Sequence, residues 1–166
     1  MKFIPVDPSN AFLIDRFISR CGSSLETFRY FSKRPTSVIQ NHVCTWVTEE
    51  DGQIEAYGHL DRDSETIWLG IAVTEPARGK GFGKNMMRQL MASAALHNVP
   101  RLRLAVDREN QIAIRLYERF GFHFLSEDER LKFFEWRNPT PSVHRPAAVN
   151  IDRLTGHAVT QSAREE

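Results

Sequence analysis

Residues 78–84 read Arg-Gly-Lys-Gly-Phe-Gly-Lys, with Gly79, Gly81 and Gly83 alternating with Arg78, Lys80, Phe82 and Lys84. Glycine lets successive backbone N–H groups turn toward one point. The apolar helical run that follows adds the unpaired N–H groups and positive end of its first turn. Such a segment suits an anion, and a pyrophosphate in particular. Two familiar phosphate cradles do not fit. A P-loop needs glycine where Arg78 stands and a hydroxyl where Asn85 stands; the dinucleotide fingerprint needs glycine at Lys84 or Met86. Three more residues could do chemistry. Asn110 and Tyr117 are two helical turns apart, so they share one side of a helix to within about 20°. A phenol can hand a proton to a departing anion in a site sheltered from water; the plain alternatives are a helix cap for Asn110 and a packed aromatic for Tyr117. In the stretch Ala-Tyr-Gly-His-Leu-Asp, a neutral His59 has the right range to accept a proton from an ammonium, and a hydrogen-bonded structural histidine is the alternative.

The elements that must position these residues follow from the pattern. Residues 2–6 form a short strand. Residues 8–20 carry Phe12, Leu13, Phe17 and Ile18 at helical spacing, stopped at Cys21-Gly22, and residues 24–32 predict a second short helix closed by Pro35. The period then changes to two. Residues 42–48, 54–61 and 66–73 are rich in β-branched and aromatic side chains, and Asp51-Gly52 and residues 61–64 separate them, so they read as an antiparallel meander. After the glycine loop, Phe82, Met86, Leu90 and Ala94 recur every fourth residue along a long amphipathic helix. Residues 101–107 alternate with Leu102, Leu104 and Val106 on one face, a strand. Residues 110–120 form a helix closed by Gly121, and residues 122–125 and 131–137 a final hairpin. The fold class is α+β, a mostly antiparallel sheet with helices on both faces. The prolines at 139, 141 and 146 and a thinning of large apolar residues predict a single domain over residues 1–138 and a surface-lying or disordered tail over residues 139–166.

Composition limits the function. A chain of 166 residues is one domain's worth, and 41% hydrophobic with 26% charged residues is ordinary for a globular protein. A formal net charge of +1 gives no general pull toward nucleic acid, so any anion site is local. Cys21 and Cys44 lack metal-type spacing and predict reduced thiols, with no metal site. No apolar run reaches membrane-spanning length, and Pro5, Asp7, Pro8 and Asp15 interrupt the N-terminus where a signal peptide would be apolar. A cytoplasmic protein is expected, with no membrane or nucleic-acid partner and homodimerisation as an open possibility.

One longer pattern accommodates the loop. Strand, short loop, Arg78-x-x-Gly81-x-Gly83 and long helix, followed by Asn110, Ala113, Leu116-Tyr117 and Gly121-Phe122, resemble the signature of the GNAT acetyltransferase superfamily across residues 71–122. The resemblance implies that family's fold, with about seven strands, and acetyl-CoA as cosubstrate. It places the CoA pyrophosphate on Arg78, Gly79, Lys80, Gly81, Phe82, Gly83 and Lys84. It gives Asn110 a cofactor contact and makes Tyr117 the acid that protonates the leaving thiolate. It also places the pantetheine arm against the backbone of Ile71, Ala72 and Val73, where the strand parts from residues 101–107.

The resemblance implies acetyl transfer to a primary amine by direct attack, without a covalent enzyme intermediate. The general base has no such motif: the strand before the loop carries no carboxylate, which leaves His59, Glu65, or water with backbone carbonyls. The acceptor pocket falls near residues 27–35, where Arg29 and Tyr30 are the candidate substrate contacts. A small-molecule amine is expected there, with an amino sugar or sugar nucleotide in view. The alternatives are a protein N-terminus or lysine as acceptor, and a non-catalytic acyl-CoA-binding module.

Overall fold

The computed structural model describes residues 1–32 and 34–139. The expected tail therefore lies, beyond Pro139, outside the described residues. The sheet consists of β1 (Lys2–Pro5), β2 (His42–Glu50), β3 (Gln53–Asp63), β4 (Thr66–Val73), β5 (Arg101–Asp107), β6 (His123–Glu127) and β7 (Leu131–Arg137). Its seven strands are ordered β1-β2-β3-β4-β5-β7-β6. Neighbours are antiparallel except β4 with β5. The Asp51-Gly52 signal is a tight turn with both residues at positive φ, 51° and 73°, the backbone that joins two twisted strands best.

Helix α1 (Phe12–Arg20) covers one face of the sheet, while α2 (Phe82–Leu96) and α3 (Gln111–Arg119) cover the other. The fourfold stripe of α2 is buried along its whole length, from Phe82 through Met86 and Leu90 to Ala94, against Leu60, Leu69 and Leu102. Each large side chain so placed contributes on the order of 1.5–3 kcal/mol. On α1 the buried set is Leu13, Ile14 and Phe17; Phe12, which the spacing had put on the apolar stripe, is 58% exposed.

The helix expected at residues 24–32 does not form. The chain makes two short 3-10 turns there, Gly22–Glu26 and Tyr30–Ser32, and a third at Thr36–Asn41. The reason lies in its aromatics. Phe28 and Phe31 pack on Tyr57, with centroids 5.6 and 5.3 Å apart, and Tyr30 packs on His59 at 4.2 Å. An α-helix would turn residue 30 to the side opposite residue 28, so one helix could not lay all three rings on β3.

The parallel pair is the irregular one. β4 and β5 are in register at a single position, Trp68 with Arg103, whereas β5 pairs with β7 from Arg101–Arg137 through to Asp107–Leu131. Beyond Trp68 and Arg103 the two strands part, leaving a notch that opens toward their C-terminal ends, as the resemblance implies.

Candidate functional site

The notch has a defined lining. Thr74 N–H donates to Glu55 O on β3 at 2.9 Å. By strand alternation the backbone groups of Val73 and Ile71 therefore face away from β3, into the notch. Ala72 faces the other way: it pairs with Tyr57 on β3 and its side chain is buried with α1. Of the three residues expected to line the notch through their backbone, Ile71 and Val73 do so and Ala72 does not. The Val73 carbonyl is engaged, because Ser24 Oγ donates to it at 2.6 Å.

The glycine loop sits at the mouth. A 3-10 turn, Glu75–Ala77, takes up the N–H groups of Arg78 and Lys80, bonded to Glu75 O and Ala77 O at 3.3 Å each. Gly79 and Gly81 then adopt left-handed backbone, φ 74° and 85°, and α2 begins without a side-chain cap. Among the described residues the N–H groups of Gly79, Gly81, Phe82, Gly83 and Lys84 have no acceptor. Five unpaired donors at a helix N-terminus fit a pyrophosphate. The side chain of Phe82 belongs to the core, so only its backbone is available. Lys80 and Lys84 are exposed. Arg78 is not held in readiness for an anion: its Nε and Nη2 donate to Ser24 Oγ at 3.2 and 2.8 Å.

Gly83 is the joint between three elements. A Cβ there would lie 3.6 Å from Val73 Cγ2 and 3.7 Å from Leu116 Cδ2, so α2, the end of β4 and α3 meet at the notch. α3 carries Tyr117, which is 7% exposed and packs near Phe122 with centroids 6.2 Å apart. Burial pushes its hydroxyl up to about 12, and among the described residues that hydroxyl makes no hydrogen bond. Asn110 caps α3, its Oδ1 accepting from Ala113 N–H at 3.1 Å.

A polar wall stands beside β4 on the α1 side. Tyr30 Oη donates to Asp61 Oδ2 at 2.7 Å and lies 2.7 Å from His42 Nε2, while His42 Nδ1 lies 2.7 Å from Thr45 Oγ1. His59 occupies the expected face but is only 2% exposed, with Nδ1 2.9 Å from Tyr57 Oη. Burial, with His42 and Arg34 nearby, holds its imidazole well below the usual range. That direction, with Tyr30 packed over the ring, speaks against a base that titrates near the imidazole value. Glu65 stands exposed in the turn between β3 and β4, at the end of β4 away from the notch.

Arg29 makes a two-point pair with Asp107, Nη1 to Oδ1 and Nη2 to Oδ2 at 3.2 Å each. Because β4 lies between β3 and β5, this pair ties the segment packed on β3 to the end of β5, across the notch mouth. Ser24, His42 and Asp107 were not singled out by the sequence as site residues. Their partners are 49, 12 and 78 positions away, and no local spacing announces such contacts. Burial raises both thiols, Cys21 to about 11, so neither is a poised nucleophile. Among the described residues no acidic, histidine or cysteine cluster could hold a metal ion, and no helix is long and apolar enough to cross a membrane.

Comparison with known proteins places this geometry. The family model described as the acetyltransferase (GNAT) family matches residues 13–122. A spermine/spermidine N(1)-acetyltransferase from Bacillus subtilis is 39% identical over 69 residues, 40% of this chain and 45% of that protein. A mycothiol acetyltransferase from Acidimicrobium ferrooxidans is 32% identical over 102 residues, 58% of this chain and 32% of that protein. The chain thus spans less than half the length of these two curated relatives. Among solved structures, yncA from Salmonella typhimurium superimposes with a TM-score of 0.66 at 17% identity, covering 86% of this chain and 98% of that one.

Proposed function

The chain belongs to the acetyltransferase (GNAT) family, and from that premise we propose that it moves an acetyl group from acetyl-CoA to the primary amine of a small molecule. The observation that carries this reading is the notch: β4 leaves β5 after one register pair, with five free N–H groups at its mouth. Two relatives named as acetyltransferases of small molecules, and a structural neighbour solved with acetyl-CoA, support it.

Acetyl-CoA supplies an activated acyl group, and the chain's residues supply its placement. The N–H groups of Gly79, Gly81, Phe82, Gly83 and Lys84 receive the pyrophosphate, with Lys80 and Lys84 adding charge, while the backbone of Ile71 and Val73 receives the amide arm. A backbone N–H in the notch polarises the thioester carbonyl. The neutral amine attacks that carbon, forming the C–N bond as the C–S bond breaks. Tyr117 gives its proton to the departing sulfur. The surplus proton on nitrogen leaves to solvent through water held by nearby backbone carbonyls, since His59 is shielded and Glu65 is remote. Asn110, which caps the helix carrying Tyr117, aligns that helix on the cofactor.

The test is thiol release from acetyl-CoA by the purified protein with a panel of small amines, amino sugars and peptides. Amine-dependent release, with the acetylated amine identified by mass, supports the proposal. CoA binding without release from any amine would replace it with a binding module.

A further inference from the structure

The segment over β3 presents a cation, Arg34, that forms no ion pair among the described residues. The Arg34 guanidinium carbon stands 4.7 Å above the centroid of the Tyr30 ring. That ring is itself held, because its hydroxyl donates to Asp61 Oδ2 at 2.7 Å and meets His42 Nε2 at 2.7 Å. Arg34 is therefore seated by cation–π attraction on a support fixed from below. No carboxylate among the described residues lies within ion-pair distance of it, Asp61 being turned onto Tyr30 and His42. A guanidinium stacked on one face keeps its planar fork of N–H donors free at the edge, the arrangement that takes a carboxylate or phosphate two-point fashion.

The position matters as much as the charge. Tyr30 stacks on His59 at 4.2 Å, and His59 rests on Gly70, where a Cβ would lie 2.4 Å from its Cε1. Arg34 is thus two ring contacts from β4, next to Ile71 where the notch begins. The opposite margin is also basic: Arg29 at 3.2 Å and Arg130 at 3.6 Å share the single carboxylate of Asp107. Arg34 contributes to disfavouring charge on both His42 and His59, so its field reaches the wall of the site.

We propose that the acceptor carries an anionic group, carboxylate or phosphate, in addition to its amine, and that Arg34 is the residue that selects it. This rests on the acetyl-transfer reading above and narrows its substrate class. An amine with only positive charges would gain nothing from Arg34 and would be repelled by it.

Matched acceptors test it. Amines carrying a carboxylate are compared with their amides, and amines carrying a phosphate with the corresponding alcohols, by thiol release from acetyl-CoA. The anionic members should have kcat/KM higher by about 10- to 100-fold, the size of a charge-assisted hydrogen bond, and the carboxylate and phosphate arms tell which anion is preferred. Arg34→Gln should bring the ratio to about one through KM, and Arg34→Lys should restore part of it. Equal rates for both members of each pair, or a preference that survives in Arg34→Gln, would overturn the proposal while leaving acetyl transfer standing. If no amine is acetylated, calorimetry of the same pairs on the CoA-loaded protein reads the preference directly: anion-dependent binding lost in Arg34→Gln supports it, and no difference between members overturns it.

Discussion

Gly70 lies directly beneath the imidazole of His59: a Cβ on Gly70 would fall 2.4 Å from Cε1 and 2.7 Å from Nε2. The two are cross-strand partners on β4 and β3, and His59 is packed from above by Tyr30 and beside by His42, with centroids 4.2 and 4.8 Å away. The ring has nowhere to retreat. Gly70→Ala should therefore cost about 1–3 kcal/mol, the range for overpacking a filled interior. A urea midpoint equal to that of the unmodified protein would mean the wall yields, and the site is softer than its packing indicates.

Acid should weaken the protein through the same wall. His42 is pushed down to about 4, by burial first, with Asp61 opposing and Arg34 reinforcing; His59 is held well below its ordinary range by burial, then by His42 and Arg34. Both are neutral in the folded state at pH values where the unfolded chain, titrating near pH 6.5, takes up protons. The unfolded state then binds more protons, so stability is complete above about pH 6.5 and falls as the pH drops below it. Urea unfolding between pH 7.5 and 5.5 reads this directly, and His42→Gln and His59→Gln should each flatten the acid slope by up to about one proton. A midpoint that rises on acidification would contradict the neutral pair.

Gly81 and Gly83 should separate folding from binding. Gly81 sits at φ 85°, so Gly81→Ala strains the backbone by about 1–2 kcal/mol. At Gly83 an added methyl would meet Val73 and Leu116 at ordinary contact distances, and alanine favours a helix over glycine by about 1 kcal/mol. Gly83→Ala should hold or slightly raise Tm. It should nevertheless weaken CoA binding by about tenfold, roughly 1.4 kcal/mol, because the methyl takes up space where α2, the end of β4 and α3 meet at the notch. Calorimetry giving unchanged CoA affinity in the folded variant would take the loop out of the binding site.

Tyr117→Phe should lower kcat by about 100-fold, the lower end of the range for a general acid, with CoA affinity unchanged. Its hydroxyl has no hydrogen-bond partner among the described residues, so stability should move by no more than about 0.5 kcal/mol. With burial raising the phenol to about 12, it stays protonated through any practical assay range, and kcat should not fall at moderately alkaline pH from this group. Wild-type kcat in the variant would make Tyr117 a packed aromatic and nothing more.

The parts legible in the sequence are those set by local spacing. The Phe82-Met86-Leu90-Ala94 stripe, the alternation of Leu102, Leu104 and Val106, and Asp51-Gly52 each encode their element within a few residues, and each element formed. Alternation along β3 placed Tyr57, His59 and Asp61 on one face, where the structure has them. The notch was legible only through the likeness to a family. Residues 24–32 failed because helical spacing of aromatics was outweighed by three rings all reaching β3. Ser24 and the Arg29–Asp107 pair were invisible because each joins segments that become neighbours only when the sheet closes. The same holds for Arg78, whose guanidinium donates to a serine 54 positions upstream.

The strand order also dictates something about biosynthesis. Among the described residues β7 is the last strand, yet it inserts between β5 and β6. As the polypeptide leaves the ribosome, β5 has one register pair to hold it, Trp68 with Arg103, until β7 arrives with seven more. A nascent chain stalled or cut before Leu131 therefore leaves the β7-side edge of β5 bare, on a strand that carries the apolar Leu102, Leu104 and Val106. Bare edges of that kind recruit other strands. A truncated message therefore yields an aggregation hazard in place of a merely weakened protein, and the exposed interval runs from the emergence of β5 to that of β7.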